Sequence, residues 1–282
     1  MDALVFAAIL AAALCHAGWN ALVKGGGDQL VTTAQLNVVT LAVGLTLLPW
    51  CGPIADAALP YLIASIVIHD AYFFALIMAY RAGDFSRVYP IARGSAPLAV
   101  AVLGHFFAGQ VLAAWGWVAV LLVSAGIASL ALVGVKRSGA GSARAVAWAF
   151  ATAATIVAYT FIDGLGVRAN GEALSYTVWL FIGCTPAVAA VALWRRGRMV
   201  LAASGASWLK GGGAGVLAFM SYGLVLWGMS LAPFAYVAAL RETSVVFAAI
   251  IGTRLMGEPF GRARIAAALA VVVGLVLLRV PG

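Results

Sequence analysis

The chain has 282 residues, 65% of them hydrophobic and only 9% charged, with a mean hydropathy of +1.07. So little polar surface cannot cover a water-soluble globule. The net charge of +8 would suit nucleic acid in a soluble protein, but in so apolar a chain it reads as basic loops on one membrane face, and a nucleic-acid partner is excluded.

Charge-free runs extend from Gln29 to Ala55, from Pro97 to Val135 and from Gly211 to Leu240. Each can cross about 30 Å of hydrocarbon as a helix of about 20 residues, and the middle run can cross twice. The runs do not alternate as the strands of a membrane barrel must, so the expectation is an all-α integral membrane protein. Polar and Gly/Pro punctuation cuts the chain into ten transmembrane segments, near 3–23, 30–49, 58–80, 86–108, 111–134, 144–167, 173–194, 208–230, 233–255 and 262–280.

The first segment lacks the basic flank of a secretory signal and carries Asp2, so it reads as a retained helix. It places His16 and Asn20 on one face with Trp19 beside them. The third segment holds Asp70. The fourth carries Tyr89 and Arg93, with Pro90 and Pro97 on either side of the arginine. Each proline removes a donor and frees a carbonyl, so this helix is expected to kink or unwind there. The sixth segment repeats the polar stripe of the first as Tyr159, Thr160 and Asp163. The eighth offers Tyr222 and Trp227. The ninth contains Arg241 and Glu242 but has only Pro233 at its start, so the two halves are not expected to be equivalent at this point.

Of 17 Lys and Arg, only Arg93 and Arg241 lie deep inside apolar stretches. Arg93, Gly109, Gln110 and Gly126 align with Arg241, Gly257, Glu258 and Gly274 at one constant offset of 148. The longest hydrophilic connector, Val135 to Arg144, falls at the midpoint. The chain therefore divides into two five-helix repeats, 1–137 and 141–282, and an odd helix count makes the repeat inverted. Loops after odd-numbered segments hold Lys24, Arg81, Arg87, Lys136, Arg137, Arg144, Arg195, Arg196, Arg198, Lys210, Arg254, Arg262 and Arg264, against only Arg168 and Arg279 on the other face. By the positive-inside rule the odd loops are cytoplasmic and both termini are periplasmic.

These features resemble the drug/metabolite transporter superfamily in its EamA-type branch of ten-helix bacterial permeases. The resemblance covers the whole chain. It is carried by HAGWN (His16 to Asn20), YPIARGSAP (Tyr89 to Pro97), ALRETSVVFAAIIG (Ala239 to Gly252) and MGE (Met256 to Glu258). It implies an inner-membrane permease in which segments 1–4 and 6–9 surround a central cavity while 5 and 10 brace the outside. Export is the family's commoner direction. The YPIARG segment is also similar to permeases found near phosphonate-utilisation genes.

A charge two turns inside a membrane helix costs at least a few kcal/mol, so it faces a wet cavity or a partner. Arg93 and Arg241 can therefore hold an anionic group of the cargo in bidentate fashion, or pair with a buried carboxylate, for example across the two halves. Asp70, Asp163 and Glu242 can exchange protons or serve as static counter-ions. Glu242 ranks first for coupling and Asp70 second. The stripes His16, Trp19, Asn20 and Tyr159, Thr160, Asp163 are candidate cavity walls, although interhelical hydrogen bonds explain them as well. Tyr89, Tyr159, Tyr222 and Trp227 are candidate cavity aromatics, whose ring faces suit an aromatic or cationic group.

Other features read plainly. His69 and His105 stand alone and look structural. Neither HExxH nor CxxC occurs, and the cysteines are scattered, so no metal and no cofactor is expected. Gly211 and Gly215 form a GxxxG suited to close helix packing. The reading is a secondary transporter of a small polar solute, amino-acid-like or an organic anion, working by alternating access. Its partners are the solute and the bilayer, and a homodimer is compatible. No nucleophile or acid/base constellation points to an enzyme. A lipid flippase or lipid-modifying enzyme, and a non-transporting membrane subunit, stay open as alternatives.

Overall fold

The computed structural model describes residues 2–83, 85–94, 96–137, 143–200, 204–255, 269–274 and 277. Among them the regular elements are α1 (Ala3–Lys24), α2 (Gln29–Leu47), α3 (Leu59–Ala82), α4 (Phe85–Gly94), α5 (Ala96–Ala108), α6 (Ala114–Arg137), α7 (Ala143–Asn170), α8 (Ala173–Arg196), α9 (Gly205–Leu231), α10 (Phe234–Arg241) and α11 (Ser244–Leu255), with two short 3-10 turns. Among the described residues, seven helical stretches are long and apolar enough to cross a membrane. Helix starts follow local chemistry. Asp2 accepts from the Leu4 and Val5 amides, Asp28 from Leu30 and Val31, and Ser204 from Ser207, each satisfying donors that a helix start leaves open. Within the tenth expected segment only 269–274 and 277 are described, and they are helical. The connector at 138–142 and the Gly257–Glu258 turn lie outside the described residues.

The break expected in the fourth segment falls at position 95, which lies outside the described residues. Pro97 at the start of α5 cannot donate to the carbonyl four residues back, that of Arg93. The ninth segment, where the sequence offers only Pro233 at its start, breaks within the described residues. There α10 stops at Arg241, and the chain tightens into i→i−3 bonds from Glu242 N to Ala239 O (3.1 Å) and from Thr243 N to Leu240 O (3.2 Å). The Thr243 hydroxyl also donates to the Leu240 carbonyl at 2.8 Å. A side-chain donor thus competes for the backbone acceptor and ends the helix without proline.

Packing crosses between the halves. α1 lies along α9, α3 along α7, and α2 between α8 and α9. Gly215 lets α9 approach α2 so closely that a Cβ there would sit 2.7 Å from the Leu36 carbonyl oxygen, which accounts for the GxxxG as packing. Near the centre α4 contacts α7 and α11, and α1 contacts α10 and α11. Gln110 Oε1 accepts the Phe234 amide at 2.9 Å, capping α10 from the other half. One end of the bundle is tied by Lys24 Nζ to the carbonyls of Tyr80 and Gly83, and by Arg196 to Asp28. At the opposite end Arg168 donates to the carbonyls of Met229 and Ala232.

Candidate functional site

Arg93 lies roughly two turns inside α4, and Arg241 roughly two turns inside α10, at the end of that short helix. Their exposures are 2% and 1%. Their environments differ. Arg93 grips Glu242 side-on, Nε to Oε2 at 2.9 Å and Nη2 to Oε1 at 2.6 Å. This bidentate fork is the strongest form of charge-assisted hydrogen bond, and it joins α4 to the turn after α10 across the halves. Arg93 Nη1 also lies 3.2 Å from His16 Nε2, while Trp19 Nε1 lies 3.3 Å from His16 Nδ1. A neutral imidazole has one acceptor nitrogen, so it serves only one of these two donors.

Arg241 donates through Nη2 to the Thr160 hydroxyl at 3.2 Å. Its Nε is 4.0 Å from Glu242 Oε1, an oxygen that Arg93 already holds. Arg241 Nε and Nη1 have no hydrogen-bond partner, so three of the five N–H donors of a guanidinium sit on unpartnered nitrogens. The ring of Tyr159 lies 6.0 Å from the guanidinium. A buried cation with open donors is costly, and its natural complement is an anion.

One turn past Thr160 on α7, Asp163 forms a second centre with 0% exposure. It accepts from the hydroxyls of Tyr176 on α8, at 2.9 Å, and of Tyr222 on α9. His69 on α3 brings Nδ1 to 3.9 Å of Asp163 Oδ2 and stacks on Tyr159 with ring centres 4.1 Å apart. Tyr159 in turn meets Tyr222 edge-on at 5.7 Å. Arg241, Tyr159, His69, Asp163 and Tyr222 therefore form one continuous buried wall.

The sequence candidates divide accordingly. Arg93, Glu242, His16 and Trp19 come together around the ion pair. Arg241, Tyr159, Asp163 and Tyr222 form the wall. Asn20 accepts from the Tyr80 hydroxyl at 2.8 Å, next to the first group. Trp227 lies apart from both, lining a cleft with Asp2, Pro233 and Tyr236. Asp70 is half-buried on α3, its Oδ1 without a hydrogen bond and its charge felt by Cys184 on α8. The Tyr89 side chain lies outside the described residues. His69, Tyr80 and Tyr176 belong to the site but were not among the candidates. His69 was read as structural, and no spacing in the sequence marks Tyr176. Among the described residues no group of three His, Cys, Asp or Glu gathers as metal ligands would.

The family model described as "EamA-like transporter family" matches residues 143–280, which include Thr160, Asp163, Tyr222, Arg241 and Glu242. A solved crystal structure superposes with a TM-score of 0.74 over 99% of this chain and 97% of its own, at 18% identity, a likeness of fold. No curated protein matches the chain.

Proposed function

The chain belongs to the EamA-like transporter family through its second half, and on that premise we propose that it is a secondary transporter whose anchor for cargo is Arg241. Family and apolar helices together mark a multi-pass membrane protein. The finer reading is ten helices in two inverted five-helix repeats, set in the bacterial inner membrane with both termini periplasmic. The constant offset of the arginines and their flanking residues supports the repeat. The cargo is a small polar solute, amino-acid-like or an organic anion, moved by alternating access without chemical conversion.

A single observation carries this reading: Arg241 is fully buried, holds one hydroxyl, and leaves Nε and Nη1 open. An anionic oxygen pair would satisfy those donors, with Tyr159 flanking the site. Arg93 has a different role. With Glu242 already on its fork, it ties the first half to the second.

The test is a thermal-shift screen of the purified protein against amino acids, organic acids, phosphonates and amines. A compound at 100 times its dissociation constant adds about 2.7 kcal/mol of stability. The expected result is a stabilising compound with an anionic group whose effect weakens about tenfold to a hundredfold in affinity in Arg241→Ala, the value of one or two charge-assisted bonds. A stabilising compound that binds Arg241→Ala unchanged would overturn the assignment. Stabilisation by lipid head groups alone would replace it with the flippase reading.

A further inference from the structure

We infer that Asp163, together with His69, is the site where this protein binds and releases a proton, and that Glu242 is not. The inference rests on the transporter reading above, because a proton site inside the bundle is of use there for coupling to a proton gradient. What carries it is the kind of partner each buried carboxylate has.

Glu242 is held on both oxygens by one guanidinium, Nε and Nη2 of Arg93. A guanidinium has donors and no acceptor. A proton added to Glu242 would point an O–H at N–H groups and leave buried polar atoms unmatched, which costs far more than the bond it replaces. The pair is locked in its ionised form.

Asp163 has no Lys or Arg within ion-pair distance among the described residues. The groups facing it come from four helices. On α8 the hydroxyl of Tyr176 donates to Oδ1, and on α9 that of Tyr222 donates to Oδ2. On α3 His69 Nδ1 stands 3.9 Å from Oδ2, with the Ser65 hydroxyl 3.0 Å from the same nitrogen. On α7 itself Tyr159 stacks on His69. Cys184 of α8 and the half-buried Asp70 of α3 lie further round, and Arg241 of α10 is reached through Tyr159. Tyrosine, serine and imidazole groups both donate and accept. The proton can add to a carboxylate oxygen of Asp163 and the hydroxyls reorient around either state, while His69 Nδ1, held as a donor by the Ser65 carbonyl at 3.0 Å, turns its N–H side to Oδ2. The placement of Asp163 one turn from Thr160 puts the proton and the open donors of Arg241 on the same face of α7, so a change at one is felt at the other.

The experiment needs no cargo, because the proton itself is the probe. Infrared difference spectra of the protein in phospholipid vesicles are recorded on passing from neutral to mildly acidic buffer. The expected result is a buried carboxylic-acid carbonyl band that persists in Glu242→Gln, Asp70→Asn and Arg241→Ala and disappears in Asp163→Asn. His69→Gln should keep the band and shift its midpoint. Tyr222→Phe should move its frequency, which tests the assignment even if Asp163→Asn does not fold. Absence of the band in the wild type, its survival in Asp163→Asn, its loss in Glu242→Gln or Asp70→Asn, or an unmoved frequency in Tyr222→Phe would overturn the inference. Failure here leaves the Arg241 assignment standing, since that rests on solute binding and its loss in Arg241→Ala.

Discussion

The two halves build nearly the same polar centre and then leave it in opposite states. In the first, Arg93 meets His16 on α1, and Tyr80 of α3 donates to Asn20. In the second, Arg241 meets Thr160 on α7, and Tyr222 of α9 donates to Asp163. The arginines differ in one respect above all, a carboxylate. Glu242 directly follows Arg241 in the chain yet closes on Arg93. The position that stands to Arg93 as Glu242 stands to Arg241 is Gly94, which has no side chain to return the contact. One residue of difference between the halves therefore neutralises one arginine and leaves the other open. On the proposed reading, such a bundle keeps one ion pair for structure and one cation for a ligand.

The most forceful way to break this comparison is to remove each arginine and measure stability alone. Arg93→Ala would leave Glu242 buried with no partner, and losing one member of a buried pair costs about 3–5 kcal/mol. The expected outcome is a large drop in thermal midpoint in detergent, with much of it recovered in the double variant Arg93→Ala, Glu242→Gln. Arg241→Ala removes a buried cation that has one hydroxyl for company, so its midpoint should stay level or rise. Equal losses for the two variants would mean that Arg241 is as well compensated as Arg93, and the division between a structural and a ligand-binding arginine would fall.

A finer cut compares the two tyrosines. Tyr222→Phe takes a hydroxyl donor from a buried carboxylate, a bond to a charged group worth about 1.5–3 kcal/mol. Tyr80→Phe takes one from a neutral amide, and such interhelical bonds in membranes average under about 1 kcal/mol. The Tyr222 variant should therefore lose more stability at neutral pH. Similar losses would argue that Asp163 is already protonated at neutral pH.

Much of the scaffold was legible before any coordinates. Charge-free length located the helices, so that segment 173–194 corresponds to Ala173–Arg196 and 3–23 to Ala3–Lys24. The depth of the two arginines was legible for the same reason, since a charge is conspicuous in an apolar run. The break beside Arg241 was not legible, because it depends on the Thr243 hydroxyl capturing a carbonyl, and a threonine in an apolar segment more often does nothing of the kind. Pairing was beyond reach too. Arg93 and Glu242 are 149 residues apart, and only the crossing of α4 with the end of α10 selects one carboxylate out of three. His69 went unmarked because a lone histidine carries no periodic signal; its role appears once α3 is laid against α7.

The smallest expected effect comes from a second cross-half pair of the same chemistry, Arg196 with Asp28 at one end of the bundle, where the side chains are 27% and 32% exposed. Partial burial pushes the Asp28 carboxyl up, but the hydrogen bond from Arg196, the amides of Val31 and Leu30 and the charge of Arg196 outweigh it and hold it below its ordinary value. A carboxyl whose folded value is depressed gives stability that is complete above the unfolded value of about 3.9 and is lost as pH falls through the folded one. Water screens such a pair, so its worth is under about 1 kcal/mol. Asp28→Asn keeps a helix-capping side chain and removes only the charge. Its midpoint should lie slightly below wild type at neutral pH, and the gap should close as the buffer is taken below about pH 4. A gap as large as that of Arg93→Ala would mean that pairing between the halves, rather than burial, sets the cost, and the central ion pair would lose its special standing.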